Sequence, residues 1–203
     1  MNQTSFPAAT AAVSAEIARG STPAAQLALW HRGEPVYSAA FGALDPDRPE
    51  RRAAITDRFD LASITKLFTT TLFMLEVEAG KTALDAPVCA VLPEFNGERP
   101  IRPYEDPLAW SETVDVTGGA QESVDAGTIT FRQLLTHTSG LPAWRPLLNQ
   151  DGSDAARALA LETFFAYRPG TRVIYSDVGL ILLGMAVERL SGLTLAQAVA
   201  ERI

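Results

Sequence analysis

Two short segments near the start of the chain, rich in apolar and aromatic residues, have the pattern of β-strands. They are residues 26–31 and 35–42, and Arg32-Gly33-Glu34 lies between them, which predicts a β-hairpin. Before the hairpin, apolar residues at helical spacing end at Gly20, a residue typical of helix C-termini. The pattern therefore predicts a helix and a hairpin, together forming an N-terminal α/β part over residues 1–60.

From residue 61 onwards the apolar spacing becomes helical. A long apolar stretch begins near Ser63 and ends at Gly80, and its apolar residues lie nearly all round, which predicts a buried helix. The same spacing and end signals predict further helices at 130–137, 153–167, 178–190 and 194–203. Residues 61–203 are therefore predicted to form a mainly helical region.

A long polar stretch, residues 96–128, interrupts this helical region. It is rich in Gly, Pro, Asp and Glu, contains Trp110, and shows little regular periodicity. Loops of this length are uncommon inside compact domains and are often active-site lids or binding insertions. The pattern predicts either such a functional insertion or a disordered surface insertion.

The composition restricts the partners and the location. The chain has 203 residues, of which 47% are hydrophobic and 20% charged, as expected for a globular protein that can fill a core. A formal net charge of −7 argues against a nucleic-acid surface and against docking on acidic membranes. No apolar run approaches membrane-spanning length, and the N-terminus has no signal-peptide pattern. We therefore expect a cytoplasmic protein without membrane or nucleic-acid partners, although a removed leader would leave the same pattern.

The strongest chemical signal is Ser63-Ile64-Thr65-Lys66. On a helix, residues three apart lie on the same face, and Ser63 would stand near the positive end of the helix dipole. The chain contains two lysines and fifteen arginines, and one of those lysines lies at this position. Of these two residue types, lysine can give up a proton near neutral pH when burial and positive neighbours lower its pKa, whereas arginine cannot. The pair therefore predicts a nucleophilic serine whose proton passes to a neutral Lys66 amine.

Several segments together resemble the serine β-lactamase and penicillin-binding protein superfamily. The Ser63–Lys66 segment resembles its first motif, and Tyr175-Ser176-Asp177 resembles its second, whose usual form is Tyr-x-Asn. Residues 134–142 (Leu-Leu-Thr-His-Thr-Ser-Gly-Leu-Pro) and Pro169-Gly170-Thr171 resemble the class C-type branch, which also holds esterases, D-amino-acid peptidases and transesterases. The resemblance runs from about Gln26 to Ile203.

This resemblance implies roles for four residues. Ser63 would be the acylated nucleophile, Lys66 its partner, and Tyr175 the general base and then acid. A nearby Lys66 cation would lower the pKa of Tyr175 from its ordinary value of roughly 10. Asp177 takes the substrate-binding position of an asparagine, yet an ionised carboxylate only accepts hydrogen bonds. Asp177 could instead pair with Lys66 or cap the following helix, so we expect ester or peptide hydrolysis rather than β-lactam specialisation.

Other chemistries have little support in the sequence. His137 is close to Ser139, but no strand–Gly-x-Ser-x-Gly elbow surrounds that serine, and the resembling family uses this segment structurally. Two distant histidines and the single Cys89 give no metal-ligand cluster and no internal disulfide, and no glycine-rich phosphate loop is present. We therefore expect neither a metal nor a cofactor.

The resemblance implies an α+β, β-lactamase-like fold. An antiparallel sheet with flanking helices would accompany an all-helical region, and the C-terminal part of the sheet would be absent. No Lys-Thr-Gly or His-x-Gly triplet, the third family motif, follows Tyr175. A fragment, one piece of a two-chain protein and a truncated gene product would all fit, and each implies a missing C-terminal half.

The predicted function is that of a serine hydrolase. It would form an acyl-enzyme on a small-molecule ester, amide or peptide. Residues 1–203 alone would be weakly active, because loss of one oxyanion donor typically costs about 10²–10³ in kcat. The alternative is a catalytically inactive or truncated homologue that binds a ligand or serves as an interaction module.

Overall fold

The computed structural model describes residues 6–106, 108–109, 111–116 and 122–203. The chain divides into two compact units, one reaching to Asp60 and the other spanning Leu61–Ile203. The N-terminal unit holds one helix and two strands: α1 (Pro7–Ala18), β1 (Ala24–His31) and β2 (Glu34–Gly42). The elements described in the C-terminal unit are α2 (Thr65–Glu78), β3 (Glu98–Pro100), β4 (Tyr104–Glu105), β5 (Thr113–Val114), β6 (Ser123–Asp125), α3 (Phe131–Leu135), α4 (Ser153–Leu161), α5 (Asp177–Ser191) and α6 (Leu195–Arg202).

The N-terminal unit is built on the predicted hairpin. Strands β1 and β2 pair antiparallel, and the pairing closes at His31 opposite Glu34. The two residues between them, Arg32 and Gly33, both have positive φ angles, of 53° and 84°. Two-residue turns of this kind match the right-handed twist of the paired strands. The sequence-based hairpin is thereby confirmed.

The core of the C-terminal unit surrounds α5. Nine residues of this helix are buried, and α2, α3, α4 and α6 all contact it. Four phenylalanine side chains are fully buried in the same core: Phe73, Phe95, Phe131 and Phe165. The rings of Phe73 and Phe131 lie 4.7 Å apart, and burial of each such side chain stabilises the fold by about 1.5–3 kcal/mol.

Helix α2 is less buried than its sequence predicts. Its buried residues are Thr69, Leu72, Phe73 and Glu76. Leu67, an apolar residue of the same helix, is by contrast 67% exposed. The prediction of all-round burial is therefore wrong for the described residues. Apolar content reports how hydrophobic a helix is, whereas burial depends on which faces meet another element.

The polar stretch at 96–128 contains two short strand pairs. Strand β3 pairs antiparallel with β6, and β4 pairs with β5 between them. Val124 and Tyr104 are buried, so the disordered interpretation is wrong for the described part of this stretch. Strands of two or three residues are too short to show a periodicity in the sequence. Trp110 and residues 117–121 lie outside the described residues, and a lid or binding role stays a prediction.

The helix predicted over 153–167 ends early, at Leu161. Beyond it Phe165 forms an isolated β-bridge with Ile101, and the Phe165 N–H donates to the Pro100 carbonyl at 3.1 Å. The Arg102 N–H in turn donates to the Phe165 carbonyl at 3.0 Å. Burial of the Phe165 ring and pairing with a distant segment outweigh the helix propensity of this alanine- and leucine-rich run.

Among the described residues, no single helix is long and apolar enough to cross a membrane. Helices α5 and α6, bent by 69° at their junction, reach that length and apolar content only when taken together. Within the same ranges, no three His, Cys, Asp or Glu side chains are grouped so that they could hold a metal ion.

Candidate active site

Ser63 and Lys66 lie at the start of α2. Ser63 belongs to a single 3₁₀ turn, Ala62–Ile64, and the α-helix proper begins at Thr65. Ala62 has a φ of 44°, a left-handed conformation that costs a non-glycine residue about 1–2 kcal/mol. Across the turn, the Lys66 Nζ donates to the Ser63 Oγ at 3.1 Å. The structure thus brings together the two residues that the sequence paired.

Tyr175 and Asp177 are held by a buried serine between them. The Ser176 Oγ donates to the Pro142 carbonyl at 2.7 Å and accepts the Gly179 N–H at 3.2 Å, so Ser176 caps α5. The Asp177 N–H donates to the Ala143 carbonyl at 2.7 Å. The suggestion that Asp177 caps this helix is therefore wrong, because Asp177 is its first residue and the cap precedes it.

A glycine in the neighbouring loop positions the segment that leads to Tyr175. Gly140 has a φ of 82°, and a Cβ at that position would lie 2.2 Å from the Tyr167 carbonyl oxygen. In return, the Gly140 carbonyl accepts the N–H groups of Ala166 and Tyr167 at 2.8 and 3.1 Å. Only glycine combines this backbone conformation with so close an approach.

His137 supports the tyrosine. Its Nδ1 accepts the Ser176 N–H at 3.1 Å, which places the proton of the neutral ring on Nε2. The imidazole and Tyr175 rings lie 4.9 Å apart. Burial, and then the charge of Lys66, lower the pKa of His137, while Asp177 opposes them. The sequence indicated a structural histidine but not its contact with Tyr175, because that contact joins two loops without periodic pattern.

Lys66 makes a second polar contact, with Asp177. Its Nζ lies 2.7 Å from the Asp177 Oδ1, and that oxygen is buried. Burial opposes the charge on Lys66, but hydrogen bonds to Asp177 and Tyr175 outweigh it and raise the pKa of Lys66. The Asp177 carboxylate therefore favours the ammonium form of Lys66, in contrast to the neutral-amine hypothesis. That hypothesis assumed positive neighbours, whereas the structure provides a carboxylate and a phenol.

The pKa of Tyr175 shifts in the opposite direction to that of Lys66. Hydrogen bonds from Lys66 and from Ser63 favour its phenolate and lower the pKa of Tyr175, against burial and the charge of Asp177. The Lys66 Nζ lies 5.0 Å from the centre of the Tyr175 ring. Of the two candidate bases beside Ser63, the tyrosine is the one whose proton is more easily lost.

A cavity of about 340 Å³ adjoins these residues. Lys66 and Asp177 contribute to its lining, together with apolar side chains such as Leu180 and Met185. An ion pair between Arg157 and Glu188 also borders it. A mainly apolar cavity of this volume can hold a small organic group.

The chain also matches known proteins. The family model described as Beta-lactamase matches residues 9–203. The chain belongs to the beta-lactamase family. Among curated relatives, Esterase EstB of Burkholderia gladioli is 33% identical over 187 residues, covering 82% of this chain and 41% of that protein. Acyltransferase mokF of Monascus pilosus is 31% identical over 208 residues, covering 95% of this chain and 48% of its own length.

A solved structure extends the likeness to the fold. The class C beta-lactamase from Rhodobacter sphaeroides superposes with a TM-score of 0.70 at 26% identity, covering 98% of this chain and 48% of that one. The predicted α+β, beta-lactamase-like fold is confirmed. The chain spans about half the length of the relatives it matches.

Proposed function

We propose that this chain carries the nucleophile of a serine hydrolase that forms an acyl-enzyme on an ester or amide. The observation that carries the proposal is the contact of Lys66 with both Ser63 and Asp177. It leaves Ser63 in reach of a cation that favours the Tyr175 phenolate. A serine with a neighbouring base is the general arrangement of nucleophilic catalysis. The names of the relatives, an esterase, an acyltransferase and a beta-lactamase, all denote acyl transfer or hydrolysis.

The proposed reaction moves one proton at each step. The Ser63 Oγ attacks the substrate carbonyl carbon as its proton passes to the Tyr175 phenolate. The new O–C bond forms, and the carbonyl electron pair moves to oxygen. When the tetrahedral species collapses, Tyr175 returns the proton to the leaving alcohol or amine. Water then attacks the acyl-enzyme by the same route, and Ser63 is regenerated.

Lys66 contributes charge in this scheme and keeps its proton. Its ammonium stabilises the phenolate before attack and remains beside the Ser63 oxygen during attack. Lysine is suited to this task because it is a compact cation with three donors.

Asp177 supports the substrate class that we propose. An asparagine could donate to a substrate amide carbonyl at this position, whereas an ionised carboxylate accepts only. Its Oδ1 is moreover engaged by Lys66. We therefore propose that esters are preferred over β-lactams.

The test is intact-mass analysis after exposure to a fluorophosphonate, which traps activated serines. The wild-type protein is expected to gain one adduct, and Ser63→Ala none. Ser153→Ala is the matched control, because Ser153 is also exposed in the first turn of a helix but has no lysine three residues later. Tyr175→Phe, which removes only the hydroxyl, is expected to slow labelling. A wild-type protein without an adduct would favour the alternative of a non-catalytic binding or interaction module.

A further inference from the structure

The position of Asp177 is set by the start of α5. Its N–H donates to Ala143, and the cap residue before it, Ser176, is buried. The side chain is 47% exposed overall, yet its Oδ1 is buried against the Lys66 ammonium. A carboxylate on the first turn of a 15-residue helix is also favoured by the helix dipole. Rigid secondary structure therefore holds this anion beside Lys66.

We propose that Asp177 is a positioning residue that keeps Lys66 protonated and beside Ser63, and so leaves Tyr175 as the base. This inference rests on the proposed function of Ser63. It makes Asp177 a residue that controls the protonation of Lys66, where the sequence left substrate binding and pairing with Lys66 both open.

A neutral Lys66 could take the Ser63 proton, but next to a carboxylate at 2.7 Å the amine retains its own. An asparagine could accept the same hydrogen bond through Oδ1 and would carry no charge. Asp177→Asn therefore separates the effect of the charge from that of the contact, because the two side chains have nearly the same shape.

Removing this charge acts in one direction on every titratable group that faces it. The charge of Asp177 acts to raise the pKa of three groups: Lys66 in α2, Tyr175 in the loop before α5, and His137 in the segment after α3. Arg157 and Glu188 line the same cavity as Lys66 and Asp177 and are paired with each other, so we expect the substitution to leave that pair unchanged. Whichever of the three groups controls each limb of a pH profile, both limbs should move to lower pH.

The direct experiment is an NMR titration of protein labelled at lysine. The chain has two lysines, so the spectrum has two ammonium sites, assigned with Lys81→Arg. In Asp177→Asn the Lys66 signal is expected to titrate at lower pH than in the wild type. The Lys81 signal serves as reference, because its partner Glu76 is unchanged. An unchanged Lys66 titration would overturn the proposal, whether or not the protein is active.

The matching functional readout is the rate of fluorophosphonate labelling against pH. Asp177→Asn is expected to lose labelling at alkaline pH values where the wild type still reacts, and to retain it further into acid. Asp85→Asn, which removes an exposed carboxylate paired with Arg132, should leave the profile in place. Limbs that stay fixed in Asp177→Asn would reject the positioning role, whereas an unlabelled wild type would reject the proposed function itself.

Discussion

The two ends of α2 each carry a cluster of charges, and the clusters differ in exposure and in partners. At the N-terminal end, Lys66 and Asp177 are 21% and 47% exposed and adjoin the Ser63 hydroxyl. At the other end Glu76 is fully buried, with Lys81 at 2.7 Å and Arg202 as its second partner. The first cluster contacts titratable groups that can exchange protons, whereas the second joins α2 to α6.

The comparison shows that similar ion pairs can have different consequences. A partly exposed pair adds little to stability, because water competes with both partners, but it can still decide which neighbour holds a proton. A buried carboxylate, by contrast, is tolerated only while it is paired with cations. Breaking such a pair therefore lowers the free energy of unfolding. The following experiments test whether the two functions separate as this comparison predicts.

The largest expected effect is on labelling of Ser63. Lys66→Ala removes the cation that favours the Tyr175 phenolate, and loss of such assistance typically costs about 10²–10⁴ in rate. Lys81→Ala removes the lysine at the other end of α2, and we expect labelling at the wild-type rate. Pseudo-first-order labelling rates measure both. Equal rates for Lys66→Ala and wild type would reject the role of Lys66.

Stability, in contrast to labelling, should depend on the cluster around Glu76. Glu76→Ala leaves Lys81 and Arg202 without their buried partner, and breaking a buried pair costs about 3–5 kcal/mol. We expect the lower end, about 3 kcal/mol, because both cations are partly exposed and can reach water. Urea unfolding measures the change. The variant should still be labelled at Ser63 where it is folded, and a stability equal to the wild type would contradict the assignment.

A smaller effect is expected in acid. Burial disfavours the Glu76 anion, but hydrogen bonds from Lys81 and Arg202 outweigh it and lower the pKa of Glu76 below its ordinary value of 4.5. A lowered folded-state pKa means stability that is present above pH 4.5 and is lost as pH falls through the folded value. Unfolding free energies in this range should fall less steeply for Glu76→Gln. Parallel curves for the two proteins would show that Glu76 is not the source.

Local patterns predicted the parts of the site that neighbour each other in sequence. Ser63 and Lys66 are three residues apart, so a helical pattern was enough to place them together, and their contact at 3.1 Å agrees. The hairpin turn at Arg32-Gly33 is equally local and was equally visible. Tyr175 came from resemblance to a family, since nothing in its own surroundings pointed to Ser63.

Features set by distant contacts were predicted only in part. Pairing of Asp177 with Lys66 was one of the alternatives that the sequence left open, but the expectation of a neutral Lys66 amine took no account of this carboxylate, which is remote in sequence. The early end of α4 likewise follows from pairing of Phe165 with the strand region around Pro100. In both cases a tertiary neighbour, absent from any local window, decides the outcome.

The most direct test of the central claim is peptide mapping of the fluorophosphonate adduct on the wild-type protein. The account predicts a single modified residue, Ser63, and no adduct in Ser63→Ala. An adduct on another serine, such as Ser139 or Ser176, or no adduct on the active-site peptide, would contradict the assignment of Ser63 as nucleophile.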